Sequence, residues 1–488
     1  MIAHPPGERQ VWLWLALILV GGLTLRLALT PVAAFRGDAL IFEAWAIQLV
    51  RVPPADFYGR ARLADHLPGD LWFLWGIAHL YRHFAPGMDT RRFGFLFLIK
   101  LVPALADVGI GVMLFLTARL LAGPLAGLAA AACFILNPAS VFLTAIWGQW
   151  DSVSAFFMVV AVWFLVRGTP EWSLPFLTYA VLIKPQLAAL FPLVALAWLR
   201  WTVFPPGDAP SEVPVCSRHR LLRAGLGVAS VPITFLAVDL PFNVGVPPLS
   251  ARWTILDRLR LALDRFTTTS ENAFNLWSVL AHAARSRNVQ DGQAFLLGLN
   301  YRQWGNGLLA VAILVILALF WRRPRREVAL WAAFATTFAL FMLPTRVHER
   351  YLFPAIVLAV LGAAVIPALR WIAALLSLTY LVNLVMVYAA SRHDIRLSAL
   401  WPNRVVLAIA TLNLFLFLAV FAVGASLGWS PLVARPRVRV RWHAVGGAVA
   451  AAILSLALVT GAAKSNSVRA KTRTTSVAPA RPGPPPSR

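Results

Sequence analysis

The sequence predicts an all-α polytopic membrane protein of about 13 transmembrane or partly spanning helices. Three observations predict it. Of the 488 residues, 59% are hydrophobic and 13% charged, against about 25% charged in a soluble domain. Apolar runs recur along nearly the whole chain, close to the ~20 residues that cross a bilayer core at about 1.5 Å rise per residue. Arginines gather at intervals between these runs, as they do in cytoplasmic loops.

The first run, 11–30, is too long and too continuous for a cleaved signal and reads as a retained span. Further spans fall near 93–121, 124–136, 152–166, 222–240, 305–321, 328–343, 351–366, 371–389, 405–421 and 444–460. Between 173 and 199 the apolar pattern is broken by Lys184-Pro185. Proline removes a helix hydrogen bond and clashes with the preceding turn, so this region reads as two short helices meeting at a turn buried in protein. With the N-terminus cytoplasmic, three clusters fall inside: Arg200 with Arg218, Arg220 and Arg223; Arg322 with Arg323, Arg325 and Arg326; Arg435 with Arg437, Arg439 and Arg441. The long loops, about 31–92 and 241–304, then fall outside. The first loop holds two interfacial helices, 40–50 and 71–80, with Trp72, Trp75 and Tyr81 suited to headgroup level. Residues 1–463 form one membrane domain. Residues 464–488 read as a basic, Pro-rich, disordered tail, which this count places outside, against the charge rule.

The net charge is +24. No soluble basic domain accompanies it, so it points to the bilayer and its anionic headgroups rather than to nucleic acid. The two cysteines, Cys133 and Cys216, have no metal or redox spacing. No glycine-rich phosphate loop and no soluble α/β region is present.

Charges at bilayer depth cost about 2.5–3.5 kcal/mol each, so those at span ends need a reason. Directly after the first span, "GDALIFEAWA" (37–46) sets Asp38 between Arg36 and Glu43 at the water–lipid boundary. A carboxylate there can act on a substrate whose tail stays in lipid, whereas Glu43, five residues on, points elsewhere along a helix. "DHLPGDLWFLW" (65–75) carries Asp65 before a Pro68-Gly69 turn, with Asp70 placed to favour a helix start. "LIKLVPALADVG" buries Lys100 and Asp107 on one helical face. One reading is a pairing partner elsewhere in the bundle; the other sets Lys100 toward the outer side, ready for a phosphate. "WGQWDS" (147–152) offers Gln149 and Asp151 beside Trp147 and Trp150, polar groups and aromatic faces that suit a sugar; Asp151 equally suits a helix cap. A short outer turn, "PTRVHERYLFPA" (344–355), holds Arg346, His348, Glu349 and Arg350. Arginine binds phosphate bidentately, which makes this cluster a candidate lipid-phosphate site, the plainer reading being a snorkelling belt.

In order, these segments resemble the GT-C fold glycosyltransferases, in particular bacterial multi-pass proteins related to the mannosyltransferase of GPI-anchor synthesis. The resemblance runs through "GDALIFEAWA", "DHLPGDLWFLW", "KLVPALADV", "WGQWDS", "IKPQ" (183–186), "NAFNLW" (272–277) and "RVHERYLFPA". The chain departs from it at His66-Leu67, where many relatives look like tyrosine–proline. The resemblance implies a GT-C-like fold that takes a sugar, mannose by likeness alone, from a polyprenyl-phosphate carrier on the outer face of the cell membrane, usually with inversion. The acceptor is a glycan, a glycolipid or a protein. It also adds Lys184, Asn272 and Asn275 to the substrate-binding candidates Arg36, Glu43, Asp65, Lys100, Gln149, Asp151, Arg346, His348, Glu349 and Arg350, with Asp38 as general base. No cofactor is required; a divalent metal, Mg or Mn, is compatible with the carboxylates, but no ligand spacing demands one. The chief alternative is a polytopic transporter or lipid flippase, which would show two related halves and symmetric broken helices; one break and no repeat are evident. A non-catalytic scaffold is a third reading.

Overall fold

The computed structural model describes residues 7–61, 64–203, 217–245, 253–283, 289–392 and 404–429. The expected span 444–460, the Arg435 cluster and the tail 464–488 lie outside the described residues. The protein is an all-α polytopic membrane protein. Its helices are α1 (Glu8–Ala28), α2 (Arg36–Arg51), α3 (Phe57–Arg60), α4 (Pro68–Phe84), α5 (Phe93–Ala122), α6 (Pro124–Ile135), α7 (Pro138–Val141), α8 (Asp151–Arg167) and α9 (Pro170–Ile183). There follow α10 (Phe191–Trp198), α11 (Ser217–Asp239), α12 (Ile255–Arg265), α13 (Leu276–Ala283), α14 (Tyr301–Arg322), α15 (Arg326–Met342), α16 (Phe353–Val365), α17 (Arg370–Arg392) and α18 (Arg404–Trp429). Two small ribbons ornament the second long loop: β1 (Val244–Gly245) beside β2 (Trp253–Thr254), and β3 (Ala294–Leu296) beside β4 (Leu299–Asn300).

Among the described residues, six helices are long and apolar enough to cross a membrane: Glu8–Ala28, Phe93–Ala122, Leu221–Phe242, Tyr301–Arg322, Pro367–Ser391 and Arg404–Gly428. A seventh span results if Pro124–Ile135 and Pro138–Trp147, bent by 43°, count as one. The sequence expects more spans, and shorter apolar helices make up part of the difference: α15, 17 residues long, and α16, 13 residues long, form the centre of the bundle. The expected break at Lys184-Pro185 is present: α9 ends at Ile183, a 3-10 turn covers Pro185–Leu190, and α10 begins at Phe191.

One end of the bundle is basic. Arg119 pairs with Glu8 at 3.0 Å, Arg223 with Glu171 at 2.8 Å, and Trp201 Nε1 donates to the Pro324 carbonyl at 3.2 Å within the Arg322–Arg326 connection. The two long loops and the 344–352 turn gather at the other end.

Deep between the ends, the α1–α5 contact is fastened by a fully buried ion pair, Arg26 Nε to Asp107 Oδ2 at 2.7 Å. Arg26 also donates to the Ile135 carbonyl at 2.8 Å and to Ser140 Oγ at 3.0 Å. For Asp107, the fold supplies the expected partner inside the bundle. Removing one partner of such a pair costs roughly 3–5 kcal/mol, because a charge is left uncompensated. Asp107→Ala is therefore expected to lower thermal stability sharply in detergent, and the double change Arg26→Met/Asp107→Leu to recover most of it. A single variant as stable as the parent would show that the pair carries no such weight.

Candidate active site

Asp38 lies in the first turn of α2, where the chain leaves α1. Phe35 anchors this entry: its amide donates to the Trp147 carbonyl at 3.0 Å, and its ring stacks on the Trp147 indole at 4.5 Å. Trp147 Nε1 and Gln149 Nε2 then both donate to Asp38 Oδ2, at 2.8 and 2.5 Å. Gly148 makes this double grip feasible. Its φ of +85° turns the chain between the two donors, in a region that favours glycine over side-chain-bearing residues. With Oδ2 held twice, Oδ1 is the oxygen left for a substrate.

Asp38 opens onto a polar cavity of about 260 Å³. Its acids are Asp38, Asp65, Glu271 and Glu349; its bases are Arg265, Arg350, His66 and His348; Gln149 and Asn272 add amides, and Phe35, Phe42, Trp45 and Phe266 add ring faces. A second cavity of about 630 Å³ adjoins it. There Lys184, Arg302, Arg346 and Arg350 face an apolar wall of Leu259, Ala262, Leu263, Leu309 and Leu340. Asp65, His66, Phe266, His348 and Arg350 line both, so the two spaces meet across them.

Each wall has a local cause. α12 begins with a capping box, Thr254 with Asp257, and carries Leu259, Ala262 and Leu263 toward the larger cavity. Its last turn gives Arg265, which pairs with Asp65 at 3.0 Å. The 344–352 turn is clamped to the second long loop by Arg346, whose guanidinium meets both oxygens of Asp291 at 2.6 and 2.9 Å and also bonds the Leu263 carbonyl. Two isolated bridges tie His348 to Glu271 and Asn272.

Burial shapes the charges of this turn. It holds His348 well below the usual histidine range, and the Arg350, Lys184 and Arg265 charges push the same way, so the imidazole is neutral. Burial pushes Glu349 up to about 7, with Arg350, 3.4 Å away, pulling against it. Burial also opposes the charge of Arg350, but Asp38, Glu349 and Asp151 more than offset this and keep it cationic. Glu349 Oε2 and Arg350 Nε are buried with no protein hydrogen bond.

Of the residues singled out from sequence, Asp38, Asp65, Gln149, Lys184, Asn272, Arg346, His348, Glu349 and Arg350 line these cavities. Asp151 sits behind them, 1% exposed, with Lys184 Nζ at 3.9 Å. Four stand elsewhere. Arg36 is exposed on the outer side of α2. Glu43 faces Thr90, whose hydroxyl reaches it at 3.4 Å. Lys100 donates to the Thr30 and Val32 carbonyls at 3.3 and 2.5 Å, in the turn after α1, and lines neither cavity. Asn275 bonds the Phe341 carbonyl and the Trp277 amide, which fixes the start of α13. Sequence reasoning passed over His66, Arg265, Phe266 and Glu271. Glu271 had a signal, as the neighbour of Asn272, and His66 had one as the position where the resemblance breaks down; Arg265 and Phe266 had none.

Among the described residues, no group of three His, Cys, Asp or Glu side chains converges as a metal site. Compared with known proteins, the chain matches no family model and none of the curated sequences.

Proposed function

We propose that this protein is a GT-C-type membrane glycosyltransferase that moves a sugar, by family resemblance mannose, from a polyprenyl-phosphate carrier to an extracytoplasmic acceptor. The observation that carries the reading is the shared wall between a polar, acid-lined cavity and a larger one that is apolar and basic. A lipid-linked sugar has the same division: an apolar tail, an anionic phosphate and a polar sugar. Lys184, Arg302 and Arg350 would receive the phosphate, with Arg346 held beside them by Asp291. The sugar and acceptor hydroxyl would occupy the polar cavity, where Asp38 takes the hydroxyl proton. The acceptor oxygen bonds the anomeric carbon as the bond to the phosphate breaks, and the electron pair leaves on the phosphate. That anion is a good leaving group, so one base suffices, worth about 10²–10⁴-fold, with fixed cations stabilising the departing charge.

The basic end of the bundle supports a cytoplasmic assignment for that end and an outer position for the site. Single cysteines introduced at Asp56 and Ala281, in a background without Cys133 and Cys216, are expected to react with an impermeant thiol reagent in intact cells, and one at Arg323 is not. The reverse pattern would set the carboxylates facing cytoplasmic nucleotide sugars and overturn the lipid-donor reading. The direct test is purified protein with a panel of short-chain polyprenyl-phosphate sugars, scored by release of the carrier phosphate. Movement of the intact lipid across vesicles without turnover would favour a flippase instead.

A further inference from the structure

His66 stands where the two cavities meet and lines both. Its Nδ1 lies 2.5 Å from Asp70 Oδ2. Asp70 is 2% exposed, and its other oxygen, Oδ1, is buried with no protein hydrogen bond. Two further contacts fix the residue. Tyr58 Oη donates to the His66 carbonyl at 2.7 Å, and the Trp45 ring packs edge-on at 5.0 Å. Pro68 starts α4 so that Asp70 falls one turn beyond His66. Gly69 lets that helix start press against the end of α9, since a Cβ there would lie 2.6 Å from the Leu182 backbone. With Nδ1 committed to a buried carboxylate, Nε2 is the polar atom the ring can present to the cavities.

We propose that His66, oriented by Asp70, donates from Nε2 to the phosphate of the lipid-linked donor at the junction of the cavities. This rests on the transferase reading for the donor's chemistry. A proton on Nε2 points into that junction, and its hydrogen bond to an anionic phosphate oxygen is charge-assisted and stronger than a neutral one. As the bond between the anomeric carbon and the phosphate oxygen breaks, the electron pair moves to the phosphate and the acceptor proton goes to Asp38. His66 keeps its own proton and meets the charge that develops. His66 is thus a catalytic residue and Asp70 a positioning residue. The acids around the ring are Asp70 and Asp65, with Asp38, Glu271 and Glu349 across the polar cavity. The bases are Arg265, His348 and Arg350, and Lys184 in the larger cavity.

The test is binding and turnover of citronellyl phosphate mannose, glucose and arabinose by the purified full chain. For the donor that binds, His66→Gln is expected to lower affinity about ten-fold or more, in keeping with one hydrogen bond to a charged group. Asp70→Asn is expected to lower it less, and the double change His66→Gln/Asp70→Asn to bind no worse than His66→Gln alone, a non-additivity that loosened structure alone would not produce. Unchanged affinity in His66→Gln, or additive losses in the double variant, overturns the proposal. A wild type that binds, with affinity lost in His66→Gln, yet transfers no sugar keeps the phosphate contact and loses the transferase reading. A wild type that binds none of the three loses both.

Discussion

Asp38→Asn is expected to lower turnover by about 10² or more while leaving donor affinity within roughly two-fold. The substitution keeps the size of the side chain and an oxygen that can still accept from Trp147 Nε1 and Gln149 Nε2, so the entry to α2 should hold. What it removes is the basic oxygen. Asp151, 1% exposed and faced by Lys184, is the control. If Asp38→Asn keeps more than about a tenth of the rate and Asp151→Asn does not, the two roles are exchanged and the assignment of Asp38 is wrong. Glu349, whose carboxyl is pushed up to about 7, is a second comparison, because a group that is half protonated near neutrality can also take a proton. A Glu349→Gln loss that exceeds that of Asp38→Asn would move the base to the 344–352 turn.

The second large effect is expected on donor binding. Arg350 lines both cavities and has an unpartnered Nε. Truncating a buried charged partner of the phosphate costs roughly 2–5 kcal/mol, or about 30- to 4,000-fold in Kd. Arg350→Ala should survive folding for a definite reason. The carboxylate it leaves behind, Glu349, is already raised by burial, so without the guanidinium it stays protonated and leaves no buried bare charge. Binding isotherms on a monodisperse preparation check this. Near-normal affinity would make the cluster an interfacial belt with no part in donor recognition.

Sequence patterning carried far where a polar group stood at the end of an apolar run. Asp38, Gln149, Lys184 and the 346–350 cluster are all of that kind, and all reach the two cavities. It carried less far inside the bundle. Lys100 and Asp107 sit seven residues apart on one face of α5, as their spacing requires, but their partners come from the first helix and the turn after it: Arg26 for Asp107, the Thr30 and Val32 carbonyls for Lys100. Nothing local in α5 announces which helix will pack there. Hydropathy also could not tell a helix buried in protein from one facing lipid, since both are apolar on every side; α15 and α16 are the cases in point. Arg265 and Phe266 depend on where α12 settles over the site, and that is decided by loop packing rather than by any period in the chain.

The contact between Tyr388 and Ala33 has a consequence for how the protein comes into being. The tyrosine hydroxyl donates to the Ala33 carbonyl at 2.5 Å across 355 positions of sequence, and its ring lies beside Trp147, the residue that grips Asp38. The corner around Asp38 is therefore closed by a helix whose Tyr388 is synthesised 355 positions after Ala33. Under the transferase reading, a nascent chain halted before α17 would hold the carboxylate without the back wall that orients it, and consumption of the lipid-linked sugar would begin only once α17 is in place.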